Sequence, residues 1–176
     1  MLDLAHRRRD AGSFAMNVLG IDPGKDGAAV LVRDDGSTSS LLLAEVVSGR
    51  RWEAIHPEVT GWLRVQVQHW TIQRCVLELH GGRPGEGAAS ARTIGIGWGL
   101  WLGAVSMLQI PVIMPTPQRW QRALLGDLAG ETKERSVAYA RQHLPGLELM
   151  PGRRRKPHDG LADAGCLAIY GRSHYV

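Results

Sequence analysis

NVLGIDPG, residues 17–24, is the stretch on which the fold turns. A short apolar run closed by Pro23-Gly24 reads as a buried strand entering a turn, with Asp22 at the strand's C-terminal end. Working outward, residues 28–33 form a second strand, and Asp34-Asp35-Gly36 is a hairpin signal. Residues 41–47 form a third. Connections this short permit only an antiparallel meander. Residues 56–70 then carry apolar side chains at 59, 62, 63, 67 and 70, the spacing of an amphipathic helix. RCVLEL (74–79) is a fourth strand, apolar except for Glu78, and 88–108 is a long helix. A fifth strand at 112–114 is followed by helices at 118–125, 132–143 and about 159–171. A meander followed by alternating helix and strand predicts an α/β fold, a mixed five-stranded sheet with helices on both faces.

The chain has 176 residues, 44% apolar and 22% charged, with a net charge of +4. That is enough for one well-buried domain, expected over 16–176, with 1–15 as a disordered or arm-like segment. The basic balance leaves room for a polyanionic partner. The two cysteines, Cys75 and Cys166, lie in segments that read as buried. They allow no metal-knuckle spacing and no disulfide framework, and a reducing cytoplasmic compartment is expected. Arg7, Arg8 and Arg9 have no apolar run after them, so no signal-peptide pattern is present. The uncharged stretch 93–114 is broken by Gln109 and Pro111 and reads as a buried helix followed by a strand. No membrane span is expected.

Four acids stand out by position. Asp22 ends a strand, Glu78 interrupts an apolar strand where an unpaired carboxylate is costly, and Asp159 and Asp163 share one helical face. Asp-Pro-Gly also marks a plain turn, and an acid at position 159 also serves as a helix cap. Together, two strand acids and two helix acids form a repulsive, all-oxygen cluster that a hard divalent cation relieves. A pair of such ions suits phosphodiester hydrolysis.

GIDPG (20–24), VLEL (76–79) and HDGLADAGCLAIYG (158–171), in this order, resemble the RuvC-like Holliday-junction resolvases across residues 17–172. The resemblance implies a ribonuclease-H-like fold, a homodimer, and Mg2+ or Mn2+, two ions per site. It also implies a crossover junction endonuclease that makes paired symmetrical nicks in four-way DNA, in a bacterial or phage-infected cell or an organelle. Residue by residue, it assigns metal and catalytic roles to Asp22, Glu78 and Asp163. The remaining acid departs from the family pattern, because three residues before Asp163 stands Gly160. Asp159, four before, keeps the helical face. His158, five before, is turned about 140° away by ideal helix geometry. Asp159 is the favoured ligand, with His158 as proton-transfer group or alternate ligand.

Arg153, Arg154, Arg155 and Lys156 directly precede the last helix and are candidate phosphate contacts, although such a run also serves as a solvated loop. Lys133, at a helix start in GETKERS (130–136), and its companion Arg135 are further DNA-binding candidates. The loop HGGRPGEG (80–87) supplies His80 and Arg83, but no aromatic residue of the sort the family uses near this point to open the junction. Ala91, Gly95, Gly99 and Gly103 recur every fourth residue along the long helix, flanked by Trp98 and Trp101. Such a face admits a close backbone neighbour, either the protomer's own sheet or a second copy. Competing readings are a ribonuclease-H-like nuclease for RNA–DNA hybrid or flap DNA, and a non-catalytic junction binder. A sugar-kinase-like phosphotransferase needs two such domains and a second phosphate loop, for which the chain is too short.

Overall fold

A computed structural model describes residues 16–24, 26–43, 52–80, 87–126 and 128–173; of 52–56 only the backbone is described. Five strands, β1 (Val18–Asp22), β2 (Ala28–Val32), β3 (Thr38–Leu42), β4 (Arg74–Leu77) and β5 (Val112–Ile113), form one sheet in the order β3-β2-β1-β4-β5. The first three pair antiparallel, while β1–β4 and β4–β5 are parallel. The helices are α1 (Trp52–His69), α2 (Ala88–Met107), α3 (Pro117–Leu125), α4 (Thr132–His143) and α5 (Asp159–Ser173). Element order and sheet type are those expected from the sequence.

Strand alternation divides the core into two layers. Val18, Val30, Val32 and Val76 face α3, α4 and α5, where Trp120, Leu125, Ala140, Leu161 and Leu167 are buried. Leu19, Ile21, Leu31, Cys75 and Leu77 face α1 and α2, against Val59, Leu63, Trp101 and Val105. A sheet covered on both faces needs strands apolar on both sides, which is why β1, β2 and β4 read as continuous apolar runs. Burial pushes the thiols of Cys75 and Cys166 up from their ordinary value, and both cysteines are free.

The contact between α5 and β1 fixes the geometry of the rim. A Cβ placed on Gly20 would lie 2.0 Å from the Ala164 carbonyl oxygen and 2.5 Å from the Ala168 nitrogen. Nothing larger than glycine fits, so the helix backbone lies almost on the strand. The start of α5 is equally close to the β1–β2 turn, since a Cβ on Gly160 would meet the Asp26 carbonyl oxygen at 2.6 Å and the Gly27 Cα at 2.8 Å. At its far end, Arg172 is buried and donates from Nη2 to the carbonyls of Met16 (2.9 Å), Val32 (3.1 Å) and Arg33.

Three expectations need correction. The third strand is Thr38–Leu42 rather than 41–47; of the expected span, 44–47 lie outside the described residues. Its register follows from the hairpin turn, which pairs Thr38 with Val32 and puts Gly36 at φ 82. The long helix is not a buried one. Only Gly97, Trp101 and Val105 are buried, one stripe of spacing four, as expected of a helix lying on one face of a sheet. The glycine stripe does not pack on the protomer's own sheet, because a Cβ on Gly95, Gly99 or Gly103 meets nothing within 4 Å. No helix among the described residues is long and apolar enough to cross a membrane. The arm expected at 1–15 lies outside the described residues.

Candidate active site

The rim above the C-terminal ends of β1 and β4 gathers the acids. Asp22 is the last residue of β1, and its Oδ1 accepts from the Gly24 N–H at 3.0 Å, which orders the Asp-Pro-Gly turn. Burial pushes its carboxyl up from the usual carboxylate range and Asp26 adds to this, while the Gly24 N–H and nearby His80 pull it down. Glu78 lies one residue beyond β4 rather than within the strand, and is half-buried. Its N–H donates to the Ile21 carbonyl at 3.0 Å, so it stands beside the end of β1. Two indoles hold it as well. Trp120 Nε1 donates to Glu78 Oε1 at 2.8 Å, and Trp98 Nε1 donates to the Glu78 carbonyl at 3.2 Å.

From α5, Asp163 is brought toward Asp22 by the contact at Gly20. Its carboxyl is pushed up to about 6, first by burial and then by the charges of Asp22 and Asp159, against the opposing influence of Ser136 and Lys133. Asp163 Oδ1 and Ser136 Oγ are both buried with no hydrogen-bond partner. Asp159 is more open and forms an ion pair with Lys133 at 2.7 Å, which raises the lysine's pKa.

Gly160, packed on the β1–β2 turn, has no room for a side chain and so can offer no ligand. His158 is buried, and its Nδ1 accepts from the Leu161 N–H at 3.3 Å, so it acts as a cap on α5. That bond uses the Nδ1 lone pair and places the proton of the neutral ring on Nε2.

The basic candidates divide. Lys133 is at the site, paired with Asp159. Arg135 instead joins α3 to α4, donating to the Leu125 carbonyl and Thr132 Oγ1, each at 3.1 Å. Arg153, Arg154, Arg155 and Lys156 are exposed, between α4 and α5. His80 is near enough to Asp22 for its charge to act on that carboxyl, and Arg83 lies outside the described residues. Sequence reading missed Trp120, Ser136 and Asp26, and placed Trp98 beside the glycine stripe without a role at the site. The pairing of Glu78 with Trp120 spans 42 residues and leaves no periodic or motif signal.

The donor set fits a hard divalent cation. It consists of carboxylate oxygens, one of them a buried atom with nothing to bind, and the charges of Asp22 and Asp159 add to the burial that pushes the Asp163 carboxyl up. Among the described residues, no three His, Cys, Asp or Glu side chains stand together as a ready-made cation cage. Lys133 holds one acid and Trp120 another, and the acids share a rim without closing on a point.

No protein-family model and no curated protein matches the chain. Among solved structures, it is similar to RuvC of Thermus thermophilus. In its complex with a Holliday junction substrate that protein is 18% identical, with a TM-score of 0.61, over 88% of this chain and 92% of that one. A second structure of Thermus thermophilus RuvC is 22% identical, with a TM-score of 0.59 and the same coverage of both chains. At such identity the likeness is one of fold, and with the sheet order above it identifies the ribonuclease-H-like fold.

Proposed function

We propose that this chain is a divalent-metal-dependent endonuclease that resolves four-way DNA junctions by paired symmetrical nicks, acting as a homodimer. The observation that carries the reading is that Asp22, Glu78 and Asp163, from three separate parts of the chain, lie along one rim of this fold, with the Asp22 charge acting on Asp163 and the Glu78 N–H bonded to Ile21 beside Asp22. The buried, unpartnered Oδ1 of Asp163 supports a cation there, since an isolated buried carboxylate is otherwise costly. The branched substrate rests on the structural likeness to a protein seen with a Holliday junction.

Asp22, Glu78 and Asp163 hold the cations, and Asp159 completes the set. The capping bond of His158 supports Asp159 over it as the fourth ligand. Bound Mg2+ or Mn2+ supplies Lewis-acid charge at the scissile phosphate. The Asp-Pro-Gly turn fixes the orientation of Asp22, and the His158 cap fixes the first turn of α5 from which Asp159 and Asp163 project. Lys133 balances the charge of Asp159 and stands ready to pair with a phosphate when DNA arrives. Arg153, Arg154, Arg155 and Lys156 grip the backbone outside the cleavage point. The open glycine face of α2 supports a twofold contact between copies, which gives two equivalent sites for a twofold substrate.

The test offers end-labelled four-way junction, flap, duplex and RNA–DNA hybrid with Mg2+ or Mn2+. Paired nicks confined to the junction are expected. Preferential cutting of hybrid or flap would replace this reading with that of another ribonuclease-H-like nuclease, and tight junction binding without cleavage would make the chain a binder.

A further inference from the structure

Glu78 is held more firmly than its place just past the end of a strand requires. Its N–H is fixed to the Ile21 carbonyl on one side of β4, as the ladder geometry dictates. Its carbonyl accepts from Trp98 of α2, on one face of the sheet, and its carboxylate accepts from Trp120 of α3, on the other. Trp120 is fully buried and Trp98 packs against the opposite core layer, so neither ring swings with solvent. An indole N–H is a donor only and does not ionise at any working pH. It therefore holds the carboxylate in one orientation. A carboxylate offers about four lone-pair sites, so one indole N–H is compatible with simultaneous cation binding.

We infer that Trp120 is a positioning residue for the Glu78 carboxylate, with Trp98 fixing the backbone beneath it. The pair of indoles presets one metal-binding acid before any ion arrives. This rests on the proposal that Glu78 binds metal. Trp101 provides an internal comparison. It is equally buried, on the same helix as Trp98, yet its Nε1 has no hydrogen-bond partner. Loss of its indole removes ring volume and no oriented bond.

The experiment measures Mn2+ affinity by electron paramagnetic resonance on the full chain without DNA, for the wild type and for Trp120→Phe, Trp98→Phe, Trp101→Phe and Glu78→Gln. Partners that orient a metal ligand are worth about 10–100-fold in metal affinity. Trp120→Phe should raise the Mn2+ Kd by about that factor, Trp98→Phe by less, and Trp101→Phe not at all. Wild-type affinity in Trp120→Phe, or an equal loss in Trp120→Phe and Trp101→Phe, overturns the inference. If Trp120→Phe does not fold, the indole N–H resonances of 15N-labelled wild type decide. One of them should move on adding Mg2+ and again in Glu78→Gln, and the inference fails if none moves. Glu78→Gln separates the positioning role from the ligand role beneath it. If it weakens Mn2+ binding while Trp120→Phe does not, only the positioning role is lost. If it leaves binding intact, Glu78 is not a ligand, and both the inference and its premise fall.

Discussion

Replacing Asp163 with Asn removes a charge that the fold buries beside two others, and the consequence can be worked out in sign and size. The folded carboxyl is pushed up to about 6 from 3.8. At roughly 1.4 kcal/mol per pH unit, the charged form is penalised by about 3 kcal/mol in the folded chain. Because the folded value lies above the unfolded one, the folded chain holds this proton more tightly. Stability from this group is fully present below about pH 4, falls as pH rises toward about 6, and stays low above that. Asparagine mimics the protonated acid. In EDTA at pH 7.5, Asp163→Asn should therefore be more stable than the wild type by about 1–3 kcal/mol, with relaxation and water entry accounting for the lower end. By size scaling this is about 2–12 °C in Tm. Near pH 4 the two should coincide. Urea unfolding followed by tryptophan fluorescence at fixed protein concentration gives the difference directly. Saturating Mg2+ should reverse the order at pH 7.5, because the ion stabilises only the chain able to bind it. A variant no more stable than the wild type in EDTA at pH 7.5, or equally favoured at pH 4, would refute the reasoning.

Other consequences follow from the packing and the open faces. Gly20→Ala puts a Cβ 2.0 Å from a backbone oxygen of α5, so the urea midpoint should fall by the equivalent of about 1–3 kcal/mol or more, and cleavage should fall with it as Asp163 is displaced. Gly99→Glu should leave the circular dichroism of the protomer unchanged, because its added Cβ meets nothing within 4 Å; light scattering should show the proposed dimer for the wild type and monomer for the variant, and a variant that remains dimeric would move the interface elsewhere. Converting Arg153, Arg154 and Arg155 to Glu should weaken junction binding and flatten its log–log salt dependence by about 0.9 for each phosphate no longer neutralised.

The strand-ending Asp22, the meander, the alternation of later elements and the limits of α4 were all legible, because each is governed by local pattern: apolar period, turn residues and capping. The edge strand β3 was not. Its paired residues Thr38, Ser39 and Ser40 are polar, and their register comes from the turn before them rather than from the apolar run after them. Glu78 was legible as an anomaly but not as a clamped group, because its partners come from helices 20 and 42 residues away. The same limit applies to His158 and Asp159. Spacing alone left their roles open, whereas the bond from Leu161 and the ion pair with Lys133 give one the place of a helix cap and the other a place on the open rim.

Membership of Asp22 in a metal cluster that cuts DNA is the claim on which everything else rests. The most direct measurement compares wild type and Asp22→Asn on one labelled four-way junction, scoring binding in Ca2+ and cleavage in Mg2+. Cleavage lost by orders of magnitude with junction affinity retained is the predicted result. An Asp22→Asn chain that nicks the junction at the wild-type rate would contradict it.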